Sequence, residues 1–167
     1  PLSANQTTNF SGSFSAGYKF KIVEKEISIL ATASQSQSFD YQEGIFKSYR
    51  ANVLDNDFAT ESYTSNTNTT GYIKSELKLN DNHKISYNTL FVNKGEDNVY
   101  EQGIDGKGYV FDQQPQEQGA FVRDQNYKQT TMYVNQLMGD HKFSDRIKLV
   151  WATGYNFVLA EEPNRIR

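Results

Sequence analysis

Apolar and polar residues alternate along the chain from Phe10 to Ile22. One set of positions carries Phe, Gly, Ala, Tyr and Ile, and the intervening set carries Ser, Gly and Lys. A period of two residues is that of a β-strand with one apolar face. After a turn near Glu24 to Glu26 the alternation resumes from Ile27 to Ser36, with Leu30 as the exception. The chain is therefore predicted to begin with a β-hairpin.

The same pattern predicts two further hairpins, which gives six strands in all. The alternation is clear in the third, fourth and sixth strands and weaker in the fifth, where Tyr133 and Leu137 share one face and Met132, Val134 and Met138 share the other. The strands run from Gly71 to Leu79, from Ile85 to Phe91, from Tyr127 to Phe143 and from Ile147 to Phe157, with turns at Asn80–His83 and at Ser144–Arg146 and the start of a loop at Ala160–Pro163.

The predicted connections differ in length at the two ends of the strands. Short turns follow the first, third and fifth strands, whereas long polar loops at about 43–68 and 93–124 follow the second and fourth. Loops of that length are far above the usual length of connections in compact domains. One end of the sheet is thus expected to carry short turns and the other to carry long loops.

Alternating strands with turns of this asymmetry are typical of a transmembrane β-barrel. In hydrocarbon all backbone polar groups need internal partners, so strands cross a bilayer only as a closed barrel with an apolar outer face. We therefore predict an all-β, antiparallel up-and-down meander of about six strands that forms a segment of such a barrel. A soluble antiparallel sheet with one packed and one wet face gives the same alternation, but it does not sort loop lengths by end.

Composition excludes several classes of function. The chain has 17 Lys and Arg residues and 20 Asp and Glu residues, and the resulting net charge of -3 leaves no basic excess for binding nucleic acid. Cysteine is absent, which rules out disulfides and thiolate metal sites. Aromatic residues make up 14% of the chain, more than a disordered segment carries. No apolar run is long enough for a transmembrane helix, and any export signal is expected upstream of Pro1.

Few residues suggest metal or phosphate chemistry. His83 and His141, the two histidines, lie near predicted turns, where ordinary exposed residues are favoured over a metal site. The stretch Gly103–Gly108 lacks the spacing and the strand-to-helix context of a phosphate loop. We expect no cofactor and no bound metal.

Carboxylates form no recognisable catalytic or calcium-binding motif. Glu161 and Glu162 are adjacent, so they would point to opposite faces of a strand and could not act as a glycosidase pair. A solvated acidic loop is favoured over a calcium site for the acids of the second long loop, because they lack EF-hand spacing: Glu96, Asp97, Glu101, Asp105 and Asp112. An enzyme is not expected.

Several strand and loop segments resemble those of a known protein family. They are Asn68–Tyr72, Asn82–Phe91, Tyr100–Gly103, Asn135–Phe143, Lys148–Trp151 and Glu161–Arg165. Through them the chain resembles the barrel region of TonB-dependent outer-membrane receptors, especially the SusC-like branch.

This resemblance implies active uptake of a small nutrient, such as a glycan or siderophore, across the bacterial outer membrane into the periplasm. It also implies a plug inside a barrel of about 22 strands, with outer-membrane lipid, a TonB energising complex and a surface lipoprotein as partners of the full-length protein. Residues 1–167 would be one part of that barrel. Six strands leave two open edges, so the isolated piece is expected to self-associate.

Ligand contacts are expected from aromatic rings in the long loops, where each ring could equally pack within its own loop. These candidates are Tyr41, Phe46, Tyr49, Tyr63, Tyr100, Tyr109, Phe111 and Phe121. An alternative function is a soluble or surface-attached binding or adhesion module, in which the apolar stripe packs inside a complete sandwich.

Overall fold

The computed structural model describes residues 8–104 and 121–166. They form one six-stranded antiparallel sheet in which each strand pairs with its neighbour in sequence. This confirms the predicted all-β meander. The strands are β1 (Phe10–Ile22), β2 (Lys25–Arg50), β3 (Val53–Asn80), β4 (His83–Gln102), β5 (Val122–Lys142) and β6 (Lys148–Ile166).

Two-residue links join the first four strands into tight hairpins. Val23 and Glu24 connect β1 to β2, and Ala51 and Asn52 connect β2 to β3; all four have positive φ values between 47° and 65°. Left-handed residues at both central positions give a turn whose twist matches that of the flanking strands. We call the end of the sheet that contains Val23 and Glu24 the turn end, and the opposite end the distal end.

The predicted long loop at 43–68 is wrong, because these residues belong almost entirely to β2 and β3. Glu43 pairs with Glu61 and Phe46 pairs with Phe58 in a continuous ladder up to the Ala51–Asn52 turn. Both faces of this hairpin carry polar side chains, so no apolar alternation marks it as strand. Its Thr, Tyr, Phe and Ile content nevertheless favours an extended backbone.

The other predicted loops are also shorter in the structure than the sequence indicated. β4 continues to Gln102 and β5 begins at Val122, so strand structure occupies both ends of the predicted 93–124 loop, while 105–120 lie outside the described residues. β6 runs through Ala160–Pro163, where a loop was expected, and reaches Ile166. The sheet is therefore taller at its distal end than the sequence pattern indicates.

The registers assign every strand position to one of two faces. We define the band face as the face that carries, in one row across all six strands, Phe14, Ala33, Gly71, Phe91, Tyr133 and Phe157. Alternate residues of each strand share that face, and the residues between them lie on the opposite face.

The described residues form a single-layer sheet without a core. The chain exposes 12382 Å² of surface, whereas a compact monomer of its mass exposes about 8,400 Å². Among the described residues Phe58, 3% exposed, is the one buried apolar side chain. β1 and β6 each pair with one neighbour in the described part of the chain, so the sheet there is open and not closed into a barrel.

Candidate functional site

Large apolar side chains cover much of the band face, and within residues 8–104 and 121–166 no second layer packs against them. Phe14 is 69% exposed, Tyr18 72% and Tyr155 69%. We call these residues the apolar band: Phe10, Phe14, Tyr18, Ile29, Ile73, Tyr87, Tyr133, Leu137, Leu149, Tyr155, Phe157 and Leu159. A contiguous exposed surface of this kind normally contacts another molecule or a membrane.

The height of the apolar band can be read from β6, on which it reaches from Leu149 to Leu159. At about 3.4 Å per residue, and with the strand tilt of about 40° found in barrels, this stretch rises by about 25 Å. That height equals the apolar belt of an outer-membrane barrel. On the distal side of the band the same face becomes polar, for example at Thr69, Asn93 and Gln129.

The opposite face is polar across the first three strands. The Ser15 and Thr32 hydroxyls lie 3.0 Å apart, and Lys19 lies 3.5 Å from Glu26 across the hairpin. On the last three strands this face is partly apolar, with Leu90, Val92, Met132, Val134, Val150 and Val158. The two faces thus differ most in the half of the sheet that contains β1.

One polar side chain inside the apolar band, Asn135, finds hydrogen-bond partners on the same face. The Oδ1 atom of Asn135 accepts hydrogen bonds from the hydroxyls of Tyr87, at 2.8 Å, and Thr89, at 2.9 Å. All three residues lie on the band face. Pairing of this kind lowers the cost of placing an amide on an apolar surface.

The two histidines meet at the turn end of the band face. His83, the first residue of β4, pairs directly with His141 of β5, and their Nδ1 atoms are 3.2 Å apart. Phe143 lies beside both imidazoles, with ring centroids 5.5 Å and 6.2 Å away, and Trp151 stacks on His141 at 6.3 Å. We call these four residues the histidine cluster. The sequence indicated isolated turn histidines, because only the β4–β5 register brings them together.

Gly139 makes room for the histidine cluster. A methyl group added at this position would overlap the Trp151 ring and lie 2.7 Å from Nε2 of His141. The space between strands, not backbone conformation, therefore requires glycine here.

A cleft opens on the band face at the distal end. Its volume is about 610 Å³, and its walls include Phe39, Tyr41, Tyr63, Asp97, Glu101 and Arg123. The rings of Tyr41 and Tyr63 face each other across β2 and β3 with centroids 5.0 Å apart. We call this the distal cleft; aromatic surface and charged groups are combined there.

The charges at the distal cleft are arranged in a compensating row. Glu61 and Glu101 are directly opposite each other on β3 and β4, where like charges repel. Nε of Arg123 lies 3.4 Å from the Glu101 carboxylate, and the Tyr63 hydroxyl donates a short hydrogen bond to Glu61. This hydrogen bond, with desolvation and the charge of Glu61, raises the pKa of Tyr63 to about 12. Desolvation and Glu61 also raise the pKa of Tyr41.

The eight candidate ligand-binding rings do not form one site. Tyr41, Tyr49 and Tyr63 lie on strands at band-face positions, whereas Phe46 and Tyr100 lie on strands at opposite-face positions. The ring of Phe46 stacks on Phe58 at 4.9 Å. Phe121 is exposed just before β5, and Tyr109 and Phe111 lie outside the described residues. The expectation that all eight sit in loops is therefore wrong for five of them.

The acids considered as calcium ligands are also separated. Glu96 occupies the opposite face of β4, Asp97 and Glu101 occupy the band face, and Asp105 and Asp112 lie outside the described residues. In the described ranges no group of three or more His, Asp or Glu side chains is arranged to hold a metal ion.

Comparison with known proteins gives no assignment: neither a protein-family model nor a curated protein sequence matches the chain. Residues 8–104 and 121–166 contain no helix of the length and apolarity needed to cross a membrane.

Proposed function

We propose that this chain is part of the β-barrel of a bacterial outer-membrane transporter of the TonB-dependent type, which takes up a small nutrient into the periplasm. The apolar band contacts lipid, and strands beyond the six described here complete the barrel. The plug, the energising complex and a surface lipoprotein are partners of the complete transporter.

The apolar band is the observation that carries this proposal. It is exposed on one face of a single-layer sheet, and its height of about 25 Å suits the hydrocarbon layer. A soluble sheet would need a second layer over these side chains, and the described residues provide none. Hydrogen bonding within the band at Asn135 adds support, because polar groups that face lipid need protein partners.

The two ends of the sheet support an orientation. The links at the turn end have two to five residues and lie next to the apolar band, as the short periplasmic turns of outer-membrane barrels do. The Ala51–Asn52 link at the distal end is equally short, but it lies far beyond the apolar band. At the distal end β2 and β3 extend past β4, since Gln102 at the end of β4 pairs with Thr60. We therefore assign the turn end to the periplasm and the distal end to the cell exterior.

This orientation divides the candidate ligand contacts. With the band face outward, Phe46 and Tyr100 are directed toward the barrel interior and are the residues we assign to the nutrient path. Tyr41 and Tyr63 are directed outward, above the membrane. The ligand would be a glycan, siderophore or similar molecule that stacks on aromatic rings.

A fluorescence experiment on Trp151, the single tryptophan, tests the lipid contact. The chain is reconstituted in phospholipid vesicles with and without bromine atoms on the acyl chains, which quench nearby indoles. The matched control is W151F/A152W, because Ala152 lies on the opposite face one position along the same strand.

We expect the brominated lipid to quench Trp151 strongly and the tryptophan at position 152 weakly. Equal quenching of the two proteins, or no quenching of the wild type, would contradict a lipid-facing band. A folded β-sheet monomer in plain buffer would also contradict it.

The distal cleft favours a second candidate function, a binding or adhesion module at the cell surface. Its paired tyrosines and the Glu101–Arg123 ion pair provide stacking and hydrogen-bonding groups in a cavity of about 610 Å³. Such a module would stay folded without detergent, so the same reconstitution experiment separates the two functions.

A further inference from the structure

The two imidazoles of the histidine cluster have the nitrogen spacing of a metal chelate. His83 and His141 lie opposite each other on adjacent strands, and each directs its Nδ1 atom toward the other at 3.2 Å. Two nitrogen ligands at 2.0–2.1 Å from a tetrahedral zinc ion are separated by about 3.3 Å. The observed separation therefore already matches the spacing needed for both imidazoles to share one ion.

Neighbouring rings hold the two imidazoles in place. Phe143 contacts both of them, and Trp151 lies nearly parallel to His141, with 20° between the ring planes. The strand pairing fixes the two backbones, and Gly139 leaves the space that His141 and Trp151 fill. Binding would cost little side-chain entropy, because the ligands are ordered before an ion arrives.

We propose that His83 and His141 bind one divalent transition-metal ion of the zinc type through their Nδ1 atoms. Imidazole suits zinc, copper and nickel, whereas Mg²⁺ and Ca²⁺ prefer oxygen ligands. The described residues contribute two ligands, and solvent or an external ligand completes the coordination. The site lies at the turn end, far from the distal cleft, and it does not depend on the transport function proposed above.

The alternative is a simple hydrogen bond, in which one Nδ1–H donates to the other Nδ1. A bound ion must displace that proton and engage both nitrogens, whereas a hydrogen-bonded pair without metal affinity leaves both rings unchanged when zinc is added. Ring nitrogen spectra distinguish the two states, and the interpretation is direct because the chain has two histidines.

The test uses the full chain, labelled with ¹⁵N and held in detergent micelles, with Zn²⁺ as the probe. Zinc is titrated while the imidazole nitrogens are followed by NMR, and affinity is measured by calorimetry. H83N and H141N each remove one ligand. The matched control H83N/K84H keeps two histidines but moves one to the opposite face, since Lys84 is the next residue along β4.

We expect one Zn²⁺ per chain and a shift of both Nδ1 resonances in the wild type. Each single variant and the matched control should bind about 100-fold more weakly, because a chelate loses its second, intramolecular contact. The proposal is overturned if the wild type binds no tighter than the control, or if zinc shifts one ring alone. Should a variant lose its β-sheet circular dichroism, the wild-type Nδ1 shifts decide by themselves.

Discussion

At the scale of single residues, Tyr63 shows how a carboxylate is accommodated beyond the apolar band. Glu61 faces Glu101 across the ladder, so its charge needs a partner. The Tyr63 hydroxyl supplies one by donating a hydrogen bond to it. This hydrogen bond is the main reason that the pKa of Tyr63 rises to about 12, and desolvation and the negative charges of Glu61 and Glu101 raise it further.

The raised pKa predicts a loss of stability at high pH. The folded value of about 12 lies above the ordinary value of 10.0, so the hydrogen bond stabilises the sheet fully below pH 10 and is lost as the pH rises toward 12. Ultraviolet titration of tyrosinate should reveal one component near pH 12 that is missing in Y63F. In E61Q this component should move toward pH 10; an unchanged midpoint would contradict the role of Glu61.

At the scale of elements, the hairpin turns differ in how well their residues suit them. Val23 has a φ of 47° and Glu24 a φ of 64°, left-handed values that β-branched and long side chains adopt with strain. Asp81 and Asn82 link β3 to β4 without positive φ. The Val23–Glu24 turn therefore stores strain that the Asp81–Asn82 turn does not.

This contrast predicts opposite responses to glycine. E24G should stabilise the chain by about 1 kcal/mol, because glycine adopts positive φ without steric cost. N82G, the matched control, should bring no gain and lower stability slightly through added freedom of the unfolded chain. Thermal unfolding in detergent, followed by circular dichroism, measures both. A stabilisation of equal size in the two variants would exclude relief of backbone strain as the cause.

The sequence predicts the elements well only where one face is apolar. β1 has the predicted bounds, Phe10–Ile22, because alternation marks each of its residues. In the Glu43–Asn68 region both faces mix polar and apolar side chains, so the alternation that identifies strands is absent although the ladder continues. The threonine-rich composition between Thr60 and Thr70 was the remaining signal for strand, since β-branched residues favour extended backbone.

Sites that form across strands are harder to predict than the strands themselves. His83 and His141 are 58 residues apart, and their contact depends on the register of β4 with β5. The same holds for Tyr41 and Tyr63, which were expected among the rings of the long loops and which the ladder places as a cross-strand pair. Alternation gives the face of a residue, but not its partner on the next strand.

At the scale of the whole molecule, the open sheet has two kinds of unsatisfied surface. The outer edges of β1 and β6 carry backbone groups without a strand partner in the described sheet, and the band face carries exposed apolar side chains. A closed barrel in lipid would satisfy both surfaces at once. In water, association of chains is the remaining way to cover them.

The size of the apolar band predicts the behaviour of the isolated chain in water. Its Phe, Ile and Leu side chains are 38% to 69% exposed, so burying what remains exposed contributes about 1 kcal/mol each. Summed over both chains of a face-to-face dimer, this gain is as large as the cost of association, about 4–15 kcal/mol. We therefore expect sedimentation equilibrium to show dimers or larger species in buffer and a monomer in detergent, with a β-sheet spectrum in both.

A variant identifies which surface drives this association. F14S/F157S removes two exposed rings from the same row of the band face without altering the strand edges. If the faces pack together, this variant should dissociate at concentrations where the wild type is associated. If the edges pair, it should associate as the wild type does. A wild type that stays monomeric in buffer would contradict both face packing and edge pairing. It would also contradict the lipid contact, because the apolar band would then be stable in water.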